Sequence, residues 1–128
     1  MKIALVIAFS LLLFPLFAGD WPEFRGASAQ GHADGVKLPT DISAKSHHLK
    51  WKTLIPGTGW SSPVIMNSRI YLTSAITEGQ TITLNALCFD ANSGQQLWNT
   101  PVIKVAKVPR MHRKNSQASP TPIVNGKH

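Results

Sequence analysis

Residues 84–98 read Leu-Asn-Ala-Leu-Cys-Phe-Asp-Ala-Asn-Ser-Gly-Gln-Gln-Leu-Trp. A half-apolar strand runs into Asp90, turns over Ala91, Asn92, Ser93 and Gly94, and returns to Trp98. A carboxylate at the head of such a turn accepts hydrogen bonds from backbone N–H groups one and two residues on, which nucleates the turn. Gly94 supplies the positive φ that a tight turn requires. Trp98 supplies a large flat surface for packing beyond the hairpin. The plainest reading of these residues is a β-hairpin with a tryptophan on its return strand.

The flanks repeat a pattern. Residues 60–72, Trp-Ser-Ser-Pro-Val-Ile-Met-Asn-Ser-Arg-Ile-Tyr-Leu, read as strand, turn, strand, and residues 118–127, Ala-Ser-Pro-Thr-Pro-Ile-Val-Asn-Gly-Lys, read as the opening of the same unit. Pro63 aligns with Pro122, Val64 with Ile123, Ile65 with Val124 and Asn67 with Gly126, an offset of 122 − 63 = 59 positions. Propeller repeats run roughly 40–50 residues per blade. The loop between Val102 and Gln117 holds the excess. Asn67 stands where a turn glycine is expected, and asparagine tolerates the left-handed region better than most residues.

These motifs resemble the repeats of the PQQ-like β-propeller proteins, whose docking motif reads Ala-x-Asp-x-x-Thr-Gly-x-x-x-Trp. Asp90, Gly94 and Trp98 match it, Ser93 stands for the Thr, and Cys88 stands for the Ala. Asp20-Trp21-Pro22-Glu23-Phe24-Arg25-Gly26 resembles the entry segment of secreted members, and residues 110–122 also look typical of the family. The resemblance spans residue 20 to the end of the sequence. It implies an all-β fold built of four-stranded antiparallel propeller blades. It also implies that Trp51 and Trp98 each pack against an adjacent blade, so that Trp98→Ala costs about 3–5 kcal/mol in a folded propeller.

A propeller has about 4–8 such blades, on the order of 160 residues or more. The 128 residues here hold one blade-like unit and the opening of a second. The expectation is an N-terminal fragment carrying an incomplete propeller, divided as follows. Residues 1–19 are a signal peptide, residues 20–48 an extended lead-in, and residues 49–128 the repeat region. The first blade lies at about 62–103 and the second starts at about 117–128. Strands are expected near 49–54, 62–66, 69–75, 81–89 and 96–103 from apolar alternation, with a polar turn over 76–80.

Met1-Lys2 and the uncharged apolar run over residues 3–17 form a secretory signal pattern. That run is short for a spanning helix, which needs about 20 apolar residues. Cleavage is expected near Ala18 or Gly19, leaving no stable membrane span; the alternative is an uncleaved anchor. The protein is thus expected to be exported, periplasmic or extracellular. Cys88 is the single cysteine and sits in an apolar strand, which suits a small buried hydrophobe. The formal charge of +7 becomes 7 − 1 = +6 once Lys2 is removed. Much of that excess lies in Lys104, Lys107, Arg110, Arg113 and Lys114. Arg110, Arg113 and Lys114 form a possible anion-attracting loop, whose bland reading is a solvated connection between blades. Nucleic-acid motifs are absent.

No catalytic or metal-binding constellation emerges. Asp20, Glu23, Asp34, Asp41, Glu78 and Asp90 form no spaced acid–base pair. On a strand, His47 and His48 would point to opposite faces. Ser61, Ser62, Ser116 and Ser119 have no base at a recognisable spacing. The family includes quinoprotein dehydrogenases that hold PQQ and calcium at the propeller centre through residues from several blades. It also includes non-catalytic members such as an outer-membrane assembly lipoprotein. Fold alone does not choose between them. The expectation is a non-catalytic envelope scaffold or protein-binding module without cofactor, whose partners are envelope or extracellular proteins. The alternative is a fragment of a PQQ-dependent periplasmic alcohol or sugar dehydrogenase.

Overall fold

A computed structural model describes residues 19–33, 35–106 and 110–127. The signal-like residues 1–18 and Lys107 lie outside them. Four strands, β1 (Val64–Met66), β2 (Arg69–Glu78), β3 (Thr81–Asp90) and β4 (Gln96–Val105), form one antiparallel sheet in the order β1-β2-β3-β4. The fold is therefore all-β, and among the described residues the one helical element is a three-residue 3-10 turn at Ala27–Ala29.

Turn chemistry sets this meander. β1 pairs Met66 with Arg69 around Asn67 and Ser68, whose φ values of 51° and 59° are those of a two-residue hairpin turn with both central residues left-handed. Asn67 thus does what a turn glycine would do, and Ser68 shares the task. β2 runs on to Glu78, which pairs with Thr81 across Gly79 and Gln80. The polar turn expected over 76–80 is therefore only two residues long. Gly79, at φ 59°, provides the reversal and lets Ile76 and Thr77 stay in the ladder.

Alternation along β2 and β3 sorts side chains onto two faces. Ile70 opposite Phe89 and Leu72 opposite Leu87 build one apolar cluster. Ala75, Ile82 and Leu84 build another on the reverse face, closed by Ala118 from the C-terminal segment. Phe89, Leu87, Val64 and Cys88 are fully buried. Cys88 lies on the reverse face between its cross-strand partners Tyr71 and Trp98, whose rings stand 6.0 Å apart. Burial pushes the Cys88 thiol up, with Asp90 adding to the effect and Arg69 opposing it. A neutral, enclosed thiol reacts slowly. Iodoacetamide is expected to leave Cys88 unmodified in the folded protein at neutral pH and to label it once urea unfolds the chain. Rapid native labelling would show the β3 face to be open.

The strand expected over 49–54 is not formed. Residues 49–54 carry no ladder pairing, and Trp51 is fixed through its side chain instead. Residues 121–125 also lack strand structure. The lead-in over 20–48 is mostly irregular, as expected. His47 and His48 sit in a turn, not on a strand, and their rings lie 3.8 Å apart instead of on opposite faces.

Candidate functional site

The turn after β3 is held from within. Asp90 Oδ1 accepts from the Asn92 N–H at 3.0 Å, the Ser93 N–H at 2.7 Å and the Ser93 hydroxyl at 2.8 Å. The backbone donors are therefore two and three residues on, one further than the sequence expectation. The shift follows from the Gly94 N–H closing the turn on Asp90 O at 2.9 Å. Ser93 Oγ also receives the Gln95 N–H at 3.3 Å. The Ser93 hydroxyl thus both donates and accepts within the turn. The Ser93 hydroxyl, followed by its N–H, holds the Asp90 carboxyl below its ordinary range.

A depressed carboxyl stabilises the fold above its unfolded pKa, and that contribution is lost as pH falls through the lower native value. The stability gap between wild type and Asp90→Ala is therefore expected to be full above about pH 4 and to shrink in stronger acid. Thermal unfolding of both proteins over an acid series measures it. A gap that stays constant through the acid range would overturn the assignment.

Gly94 is buried beneath the Trp51 indole. A Cβ added to Gly94 would lie 2.5 Å from Trp51 Cδ2 and Cε3, and its φ is +73°. Only glycine allows both the conformation and the approach. The indole N–H donates to Ala91 O at 3.0 Å, and Lys50 Nζ donates to Asn92 Oδ1 at 3.2 Å. Asp90, Ser93 and Gly94, with the Ala91 carbonyl, thus make a seat for a tryptophan. The Trp that fills it is Trp51, supplied by the lead segment and not by the hairpin itself. Trp98 contributes nothing to this seat and is 39% exposed on β4. With its outer face open to water, Trp98→Ala is expected to cost about 1–2 kcal/mol, below the loss anticipated for a covered indole. Urea unfolding reads this directly.

A second indole seat lies at the outer edge of β1. Trp21 lies over Gly26, whose added Cβ would stand 2.6 Å from Trp21 Cε3. The Trp21 N–H donates to Ile65 O at 2.7 Å, and the Ile65 N–H donates to Trp21 O at 2.8 Å. Asp20 Oδ1 accepts from the Asn67 N–H at 3.0 Å. The neighbouring Pro22 O accepts from the Val124 N–H at 3.0 Å. Ile65 and Val124 are 59 positions apart, the offset between the similar stretches 60–72 and 118–127, so the entry segment bridges those two stretches. Ser62 and Thr121 share that offset, and the Ser62 N–H donates to Thr121 Oγ1 at 3.0 Å. No local sequence signal marks these two contacts. The 59-residue offset was the only available clue.

The serines serve the backbone. Ser61 Oγ accepts from the Thr73 N–H at 3.1 Å and donates to Thr73 O at 3.2 Å, completing β2 where β1 has ended. Ser119 donates to Ser116 O and to Asn115 Oδ1 within a tight turn. Arg110, Arg113 and Lys114 are exposed. The Lys114 N–H donates to His112 Nδ1 at 3.2 Å.

The carboxylates remain dispersed. Asp20 and Asp90 accept as described, and Asp41 accepts from the Ser43 N–H at 2.9 Å. Asp34 lies outside the described residues. Among the described residues no three His, Cys, Asp or Glu side chains converge on a point. No helix among the described residues is long and apolar enough to cross a membrane. No protein-family model matches the chain, and neither does any curated protein or solved structure.

Proposed function

We propose that this chain is a blade-bearing part of an exported, non-catalytic PQQ-like β-propeller, acting as an envelope scaffold that binds other proteins. One observation carries the reading. The Asp90–Ser93–Gly94 turn seats the indole of a distant tryptophan, with its N–H on Ala91 O. That contact gives the motif-like turn a physical purpose, the fastening of the lead segment to the blade. Contact between Ser62 and Thr121, at the 59-residue offset, supports a repeat arrangement, because units of a repeat array bury their faces against neighbours.

The scaffold reading follows from where the polar groups are used. Asp90, Ser93 and Ser61 hydrogen-bond to the backbone beside them and stabilise shape. The rival reading, a PQQ-dependent dehydrogenase, requires a propeller-centre site with acidic and amide ligands. Calorimetric titration of the secreted protein with PQQ, with and without calcium, tests the choice. No saturable heat is expected. Micromolar, calcium-dependent binding would put the dehydrogenase first. The export component is checked by N-terminal sequencing of secreted material, where a start near Ala18 or Gly19 is expected and a retained Met1 in membranes would favour an anchor.

A further inference from the structure

The chain has six asparagines, and their surroundings set one of them apart. The backbone nitrogen that follows an asparagine is a nucleophile within reach of its side-chain Cγ. Attack needs an accessible side chain, a nitrogen that is neither crowded nor hydrogen-bonded, and stabilisation of the charge that develops on Oδ1.

Asn125 meets each requirement. It precedes Gly126, both are exposed, and neither belongs to a strand. Gly126 has no side chain to obstruct its nitrogen, and its φ of 73° places it in a turn. Among the described residues the Gly126 N–H is bonded to no acceptor. The space around it is open, since a Cβ added to Gly126 would meet only Met66 Sδ, at 3.6 Å. The Lys127 N–H donates to Asn125 Oδ1 at 3.0 Å. That bond holds the carboxamide over the Gly126 peptide and aims a donor at the oxygen where negative charge collects during attack.

The other asparagines each lack part of this arrangement. Asn85 is buried in β3, and Asn99 is paired with Leu87 inside β4. Asn67 is fixed in its hairpin by the Met66–Arg69 pair, and Ser68 after it carries a side chain. The Ser93 N–H that follows Asn92 is committed to Asp90 Oδ1 at 2.7 Å. The Ser116 N–H that follows Asn115 is committed to Asn115 Oδ1 at 2.9 Å and Ser119 Oγ at 3.2 Å, in a buried position.

We propose that Asn125–Gly126 is a self-modification site, at which the folded protein converts Asn125 to aspartate and isoaspartate. The Gly126 nitrogen gives up its proton and adds to Cγ, forming a new N–C bond. The side-chain nitrogen takes up a proton and leaves as ammonia, which completes a succinimide ring. Water then adds to one ring carbonyl and breaks that carbon's bond to the ring nitrogen, leaving a carboxylate. Opening at Cγ gives aspartate. Opening at the main-chain carbonyl gives isoaspartate, with the backbone rerouted through the side chain. Nothing is oxidised or reduced, and water is the only co-reactant. The turn exchanges a neutral amide for a negative charge beside Lys127.

The test holds the protein at physiological temperature, folded in one sample and unfolded in urea in another, with trypsin digestion at intervals. Cleavage after Lys114 and Lys127 releases residues 115–127, which contain both Asn115 and Asn125, so fragment sequencing by mass spectrometry separates the two. In the folded protein Asn125 is expected to convert at least about tenfold faster than any other asparagine. Its rate should rise with pH, because the attacking nitrogen must lose its proton. Unfolding is expected to speed conversion at Asn67, Asn92 and Asn115 and not at Asn125. Asn125→Gln is expected to abolish labelling of the folded protein by an isoaspartyl methyltransferase and to leave the unfolding curve unchanged, since Asn125 is exposed.

A rate at Asn125 that rises on unfolding would overturn the proposal, because the fold would then be protecting the site. Faster conversion of another asparagine in the folded protein, a rate independent of pH, or methyl labelling that survives Asn125→Gln would each do the same.

Discussion

Trp51→Ala is expected to destabilise the protein by about 3–4 kcal/mol, the range for removing a large, substantially buried aromatic. Two losses combine. The indole leaves the surface of Gly94, and its N–H leaves Ala91 O. A hydrogen bond of this kind contributes about 1 kcal/mol net, so Trp51→Phe, which keeps a ring and loses the donor, should recover most of the difference. In a domain of about 100 residues each kcal/mol moves Tm by about 4–8 °C. Urea and thermal unfolding of the three proteins give the result. A Trp51→Ala protein within about 0.5 kcal/mol of wild type, the range of an ordinary surface change, would show that the lead segment does not bind the turn in solution.

Gly94→Ala follows with an expected loss of about 2–4 kcal/mol. The left-handed backbone alone costs a non-glycine residue about 1–2 kcal/mol. The remainder comes from Trp51, because the new methyl would lie 2.5 Å from Cδ2 and Cε3. The two parts are separable. In a Trp51→Ala background the indole is gone, and Gly94→Ala is expected to cost only the backbone share. The double-mutant cycle should therefore give a coupling of about 1–2 kcal/mol, as expected for residues in contact. Additive losses would mean that the glycine serves the turn alone and that the indole seat has no energetic role.

These expectations divide along the line between what is local in the sequence and what is not. The hairpin after β3 was legible because Asp90, Ser93 and Gly94 act within a few residues of one another. The strands were legible because alternation over 69–78 and 81–90 has a period set by the backbone. Asn67 could be assigned to its turn for the same reason, and Cys88 to the interior. Where reading failed, a distant partner had decided the outcome. The alternation Leu-Lys-Trp-Lys over 49–52 suggested a strand, yet the best use of Trp51 lies with Ala91, 40 positions away. Once the indole is seated, no neighbouring backbone is aligned to pair with it. β2 likewise ran three residues past its expected end, because β3 offered Ile82 and Thr81 as partners to Thr77 and Glu78.

The sequence by itself determined the four-strand meander, its turns and the burial of its central strands. Each of these depends on side-chain period and on the φ preferences of single residues. Only the tertiary structure decided which tryptophan fills the glycine seat, which edge Trp21 closes, and that β4 remains open. Those are contacts between segments tens of residues apart. Many indole and backbone groups compete for each such site, and local pattern carries no information about which one wins; shape and hydrogen-bond geometry after collapse do.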